Sequence, residues 1–132
     1  MEIKVNEQTQ RFYLAVDEWV PAVGHEIKVG KYRFSAIPLE ESINISEVTS
    51  GVRAINVPMT VEIWELTSTK EGTMKLLEKV GERLKKIIEK QINFDEYLEK
   101  QRKIAIERLG EMPPIENVDT DWMFEEESET VH

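Results

Sequence analysis

The chain has 132 residues, with 17 basic and 26 acidic side chains, two histidines, no cysteine and a formal net charge of −9. That length suits one domain with a real hydrophobic core. The lack of cysteine excludes disulfides, thiolate metal sites and cysteine nucleophiles. No apolar run is long enough to span a bilayer and no signal-peptide pattern opens the chain, so the expectation is a soluble, cytoplasmic protein.

The charge is unevenly spread. Residues 1–67 carry six basic and ten acidic side chains, residues 68–110 eleven basic and eight acidic, and residues 111–132 eight acidic and none basic. The acidity therefore belongs largely to the C-terminal end. Direct nucleic-acid binding by the whole molecule is disfavoured, because phosphate contacts need positive surface. A basic helix face (Lys79, Arg83, Lys86, Lys90) reads first as a solvated face.

In chain order, Glu2–Val5 alternates, and Arg11–Val16 forms a clearer strand with Phe12, Leu14 and Val16 on one side. Trp19, Val20 and Pro21 are expected in a turn or loop. Glu26–Val29 and Tyr32–Ile37 then flank Gly30-Lys31, the pattern of a β-hairpin with a type II′ turn. Pro38–Ser42 is a loop, Ile43–Thr49 a strand and Ser50-Gly51 a turn. Val52–Val57 and Met59–Leu66 are two further strand candidates separated by Pro58, which marks an edge or bend.

A helical half follows. Ser68-Thr69-Lys70-Glu71 has capping-box spacing, and Leu77, Val80, Leu84 and Ile87, widened by Leu76 and Ile88, form one helical stripe ending near Lys90. Glu82 and Lys86 add an i,i+4 pair. Gly72 and Gly81 weaken the helix, and Gly81 beside Val80 suits close approach of another backbone. Asn93-Phe94-Asp95-Glu96 repeats the capping logic for a second helix with apolar Phe94, Tyr97, Leu98, Ile104, Ala105 and Leu109, stopped by Gly110 and Pro113-Pro114. The short connection predicts antiparallel neighbours or an angled pair. The stripe covers the sheet or, as the sharper reading, joins subunits in a homo-oligomer.

Strands followed by helices argue for an α+β fold: five or six mostly antiparallel strands in one curved sheet, then two helices. A small barrel with appended helices is the alternative. Residues 1–67 and 68–110 are expected to form one domain, and 111–132 an acidic, flexible tail.

Chemistry-bearing patterns are sparse. His25 lies beside a strand and His132 is the last residue, so neither suits a positioned base. No glycine-rich phosphate loop and no metal-ligand spacing occurs, which predicts no catalytic residues, no metal and no cofactor. Two other groups remain. Tyr13, Tyr32 and Trp64 could present rings for base stacking, with Arg33 and Arg53 for phosphates. The tail surrounds Trp122, Met123 and Phe124 with Asp119, Asp121, Glu125 and Glu126, placing large apolar groups where acidic flanks oppose collapse.

The run Ile45-Ser46-Glu47-Val48-Thr49-Ser50-Gly51, followed by Thr67-Ser68-Thr69-Lys70-Glu71-Gly72 at a helix start, resembles small proteins encoded by bacteriophages and prophages. Those join a strand ending near Thr-Gly, another strand, and a helix opening Thr-Lys-Glu-Glu-Ala. Here Gly72 replaces the second Glu and the connection is longer. The resemblance covers about a third of the chain and implies an accessory or host-interaction role, with no catalytic residues. It frames three expectations. The first is a protein that binds a host or phage protein through the tail, in its sharpest form an acidic inhibitor of a defence or nucleic-acid-processing protein. The second is a binder of a nucleotide signal, and the third a virion component.

Overall fold

The computed structural model describes residues 1–118. Six strands form one antiparallel sheet: β1 (Ile3–Ala15), β2 (Trp19–Val29), β3 (Tyr32–Pro38), β4 (Ser42–Glu47), β5 (Arg53–Pro58) and β6 (Glu116–Asn117), in the order β5-β4-β3-β2-β1-β6. Three helices complete the fold: α1 (Val61–Leu66), α2 (Lys70–Lys90) and α3 (Phe94–Leu109). The fold is α+β. No helix of the described residues is long and apolar enough to cross a membrane.

The β2–β3 hairpin has the expected turn. Gly30 takes φ 60° while Lys31 keeps a negative φ, the backbone of type II′. Register then sorts the side chains. Ile27 faces Phe34, Ala36 faces Ile45 and Ile45 faces Ile55 across successive strands, so one face of the sheet is continuously apolar. Onto it α2 lays Leu76, Leu77, Val80, Leu84 and Ile88, closing the main core. Gly81 lets α2 sit tightly here, since an added Cβ would come within 2.5 Å of Ile3 Cγ2. The close neighbour is a side chain, not the backbone that the sequence suggests.

A second, smaller cluster of Phe12, Ile37 and Val48, with Leu14, Ala22 and Ile115 around it, lies on the opposite face. It shows that the sheet folds over. Ile27 lies level with the β4–β5 turn through Phe34 and Glu47, and Trp19 is eight residues from it along β2, so in a flat sheet the β1–β2 tip would lie toward the opposite end, about 26 Å from that turn. Instead Ala15 N–H donates to Gly51 O at 3.1 Å, which places the tip directly on that turn. Two features permit the bend. Gly24 passes against the Ala36 backbone, and β1 carries an irregularity between Val5 and Thr9. His25 Nδ1 donates to Asn6 O at 3.0 Å and pins that irregularity, which gives this histidine a structural task.

Several local expectations are corrected. Trp19-Val20-Pro21 is not a loop; it opens β2, paired with Ala15, Leu14 and Tyr13. Met59–Leu66 is not a strand. Thr60 accepts from Ile63 N–H at 3.1 Å and caps α1, whose half-buried residues Ile63 and Leu66 follow helical spacing. A six-residue apolar window fits both periods, and the cap decides between them. The capping box of α2 shifts by one: Thr69 is the N-cap and accepts from Gly72 N–H, so Glu71 closes no reciprocal bond. The cap of α3, Asn93, adopts a left-handed backbone and makes no side-chain cap bond.

α3 does not run back along α2. Its Asp95 bonds Lys31 at the β2–β3 turn, Arg102 donates to Thr49 Oγ1 in the β4–β5 turn, and Arg108 donates to Val16 O at the hairpin tip. Trp19 Nε1 adds a bond to Gly110 O. The helix thus straps together three turns that the folded sheet brings near one another. Beyond it, Ile115 joins the smaller core and Glu116-Asn117 pairs with Arg11 and Gln10. Residues that the sequence groups with the acidic tail are therefore built into the sheet edge.

Candidate functional site

A cleft opens where the end of α2 meets the start of α3 and the β4–β5 turn. Its apolar wall is Leu84, Ile87 and Ile88 from α2 with Phe94 and Leu98 from α3, and Phe34 forms the floor. Arg53, Gln91 and Tyr97 supply polar atoms. Glu47 also lines it, but both carboxylate oxygens are taken: Thr49 N–H, Thr49 Oγ1 and Ser50 N–H donate to them at 2.7–2.9 Å. Such a buried carboxylate, satisfied within its own turn, holds the turn shape and leaves the chemistry of the cleft to its rim.

The volume is about 160 Å³. Sites for whole small-molecule ligands commonly span about 300–1,000 Å³, whereas a cavity of about 150 Å³ accepts a benzene ring. The cleft therefore matches one inserted side chain better than a nucleotide. Two apolar side chains stand exposed there: Tyr97 is 44 % exposed and Ile92, next to Gln91, is 89 % exposed.

Beside the cleft, Lys31, Tyr32 and Asp95 form a compact polar group. Asp95 accepts from Lys31 Nζ and from Tyr32 Oη, each at 2.7 Å. The Tyr32 ring meets Phe94 edge-on at 4.9 Å, which ties the group to the cleft wall. The Lys31 and then the Tyr32 hydrogen bond hold the Asp95 carboxyl below its ordinary value. Lys31 is raised by its bond to Asp95, and Tyr32 by burial first and that same carboxylate second. Because a lowered Asp95 favours the fold when ionised, its contribution is complete above the ordinary value of 3.8 and is lost as pH falls below it. Lys31 and Tyr32, being raised, lose theirs as pH climbs past 10.5 and 10.0 respectively. The urea midpoint of Asp95→Asn should thus lie below that of the unaltered protein at neutral pH, the gap closing as pH falls below 3.8. A gap that stays constant through that range would show that the carboxylate charge is not what ties α3 down.

The residues singled out from sequence do not converge. Of Tyr13, Tyr32, Arg33, Arg53 and Trp64, only Arg53 lines the cleft. Tyr32 packs against the main core beside it and does not present its ring for base stacking. Arg33 pairs with Glu26 on the neighbouring strand. Tyr13 sits opposite Pro21 near the hairpin tip, and Trp64 projects from α1, 65 % exposed. Asp119, Asp121, Trp122, Met123, Phe124, Glu125 and Glu126 lie outside the described residues. Gln91, Ile92 and the cleft-facing side of Tyr97 were not legible as a site, because each belongs to a helix end whose packing only the fold reveals. Among the described residues, no group of three or more His, Asp or Glu could hold a metal ion.

No protein-family model matches the chain, and no curated protein or solved structure matches it significantly.

Proposed function

We propose that this chain is a non-enzymatic accessory protein of the phage type that acts by binding another protein, from host or phage. The observation that carries the reading is the 160 Å³ apolar cleft with the exposed Ile92 and Tyr97 beside it. A pocket for one side chain, surrounded by apolar surface and rimmed by Arg53 and Gln91, is the form that protein hot spots take. The acidic C-terminal segment supports the same reading. Asp119, Asp121, Glu125 and Glu126 would steer it toward a basic groove, and Trp122, Met123 and Phe124 offer anchors. Inhibition of a defence or nucleic-acid-processing protein is the sharpest version.

Small-ligand binding ranks second. Arg53 at the cleft favours it, while the small volume and the scatter of Tyr13, Tyr32 and Trp64 count against a nucleotide. Native mass spectrometry of protein purified gently from cells that carry its partners separates the two. The expected result is a co-purifying protein, depleted both by truncation after Val118 and by Ile92→Asp with Tyr97→Ala. A chain that carries only a few hundred daltons of extra mass would overturn the partner reading in favour of a ligand. A homo-oligomer with nothing bound would favour a virion component.

A further inference from the structure

We propose that the side chain received by the cleft belongs to an acidic stretch of the partner protein: one apolar ring with carboxylates on either side of it. The inference rests on the cleft being a pocket for a partner and adds what surrounds the anchor in that partner.

The observation that carries it is the charge around the opening. Arg53 lines the cleft on one side, and Gln91 lines it at the end of α2. Lys90 is the residue before Gln91, in the last turn of that helix. Arg83, Ile87 and Gln91 follow at intervals of four, so they form one row along α2, and the last two of that row line the cleft. Arg53, Arg83 and Lys90 are all exposed, and none makes a side-chain hydrogen bond or ion pair to another described residue.

Nearby acids do not offset these cations. Past the first turn of α2 they are Glu78, Glu82 and Glu89, which the helical period carries to the far side from Ile87 and Gln91. Among the residues that line the cleft the carboxylate is Glu47, and both its oxygens are taken by its own turn. The opening is therefore basic around an apolar floor, in a chain whose net charge is −9. Rim pairs of this kind add little affinity each, but they set the association rate, the salt dependence and the choice of partner.

A nucleic acid suits this surface less well. The pocket is walled by Leu84, Ile88, Phe94 and Leu98, has room for one ring and offers few polar atoms to the edge of a base. A chain of net charge −9 also repels a long polyanion. A short acidic segment is governed by the charges within about 10 Å of it, which here are the three cations.

Amide chemical-shift titration by NMR on the full chain tests the proposal. The probes are acetyl-Glu-Asp-Phe-Asp-Glu-amide, its analogue with alanine for phenylalanine, and its analogue with lysine for every acid. The first is expected to shift the Ala54 and Gln91 amides beside the cleft. Its affinity should fall at least about tenfold without the ring, and about tenfold between roughly 50 and 500 mM NaCl. Arg53→Glu with Lys90→Glu should weaken the acidic peptide about tenfold and strengthen the lysine peptide, a reversal that loss of folding cannot produce. Equal binding of the acidic and lysine peptides would overturn the proposal and leave the cleft as a pocket for a partner side chain. Binding of neither would overturn both. A single-stranded dT oligonucleotide that binds more tightly than the acidic peptide would assign this surface to nucleic acid instead. Dimerisation of the unaltered chain that is lost on Tyr97→Ala would seat a second copy in the cleft and likewise overturn the proposal.

Discussion

Gly24→Ala is expected to destabilise the protein by about 3 kcal/mol, more than a helix-cap loss or any surface change in this chain. A Cβ at this position would sit 2.0 Å from Ala36 O, 2.9 Å from Ala36 C and 2.9 Å from Ile37 Cδ1. The isoleucine methyl can swing aside, but the carbonyl cannot. Ala36 is held by its pairing with His25 on one side and Ile45 on the other. Gly24 is the residue at which β2 leaves β3 and turns the hairpin over the second face, so relief would have to come from opening that fold. The smaller core of Phe12, Ile37 and Val48 would loosen with it. Urea denaturation measures the loss, and the near-ultraviolet signal of Trp19 at the hairpin tip reports whether the tip still reaches the β4–β5 turn. A loss below about 1 kcal/mol would mean that β2 does not pass Ala36 this closely.

The bend explains what sequence reading could and could not reach. The β2–β3 hairpin and the α2 stripe depend on nearest neighbours in the chain, through the Gly30-Lys31 turn and the spacing of Leu77, Val80, Leu84 and Ile87 with Leu76 and Ile88 beside them, and both are legible. Trp19–Pro21 looks like a loop in sequence because Pro21 signals a turn locally, whereas its place opposite Tyr13 comes from the extension of the hairpin. Met59–Leu66 offered too few residues to tell period two from period three, and the Thr60 cap settled it. α3 was located as a helix, but its docking across three turns depends on the sheet folding over, which no local pattern encodes. The same holds for the cleft. Its lining comes from five elements, β3, β4, β5, α2 and α3, and of the residues that the sequence offers for ligand binding it includes Arg53 alone. Tyr32, a ligand candidate from sequence, is a strut in the fold. Its hydroxyl serves Asp95 and its ring serves Phe94.

Leu84→Ala is expected to cost about 3–4 kcal/mol and, unusually for a core deletion, to be partly reversed by a small aromatic molecule. Leu84 is 1 % exposed and stands at the centre of the α2 stripe, among Ile27, Phe34 and Val80 of the main core. Removing a buried leucine side chain loses its transfer free energy and leaves a cavity, for a total of about 2.7–5.0 kcal/mol in well-packed cores. Leu84 also lines the cleft, so the vacated space would join an opening that already holds about 160 Å³. Collapse is limited on either side, by the paired β3 and β4 and by the Lys31–Asp95–Tyr32 bonds that fix the start of α3. The enlarged cavity should therefore persist and accept benzene or indole, raising the melting temperature of the variant by more than that of the unaltered protein, whose cleft has room for a single ring. Ile55→Ala supplies the contrast. Ile55 belongs to the same core but does not line the cleft, so its loss should destabilise without any rescue by the aromatic probe. Equal response of the two variants would show that the cleft and the core do not communicate at Leu84, and would remove the physical basis for a partner side chain being received there.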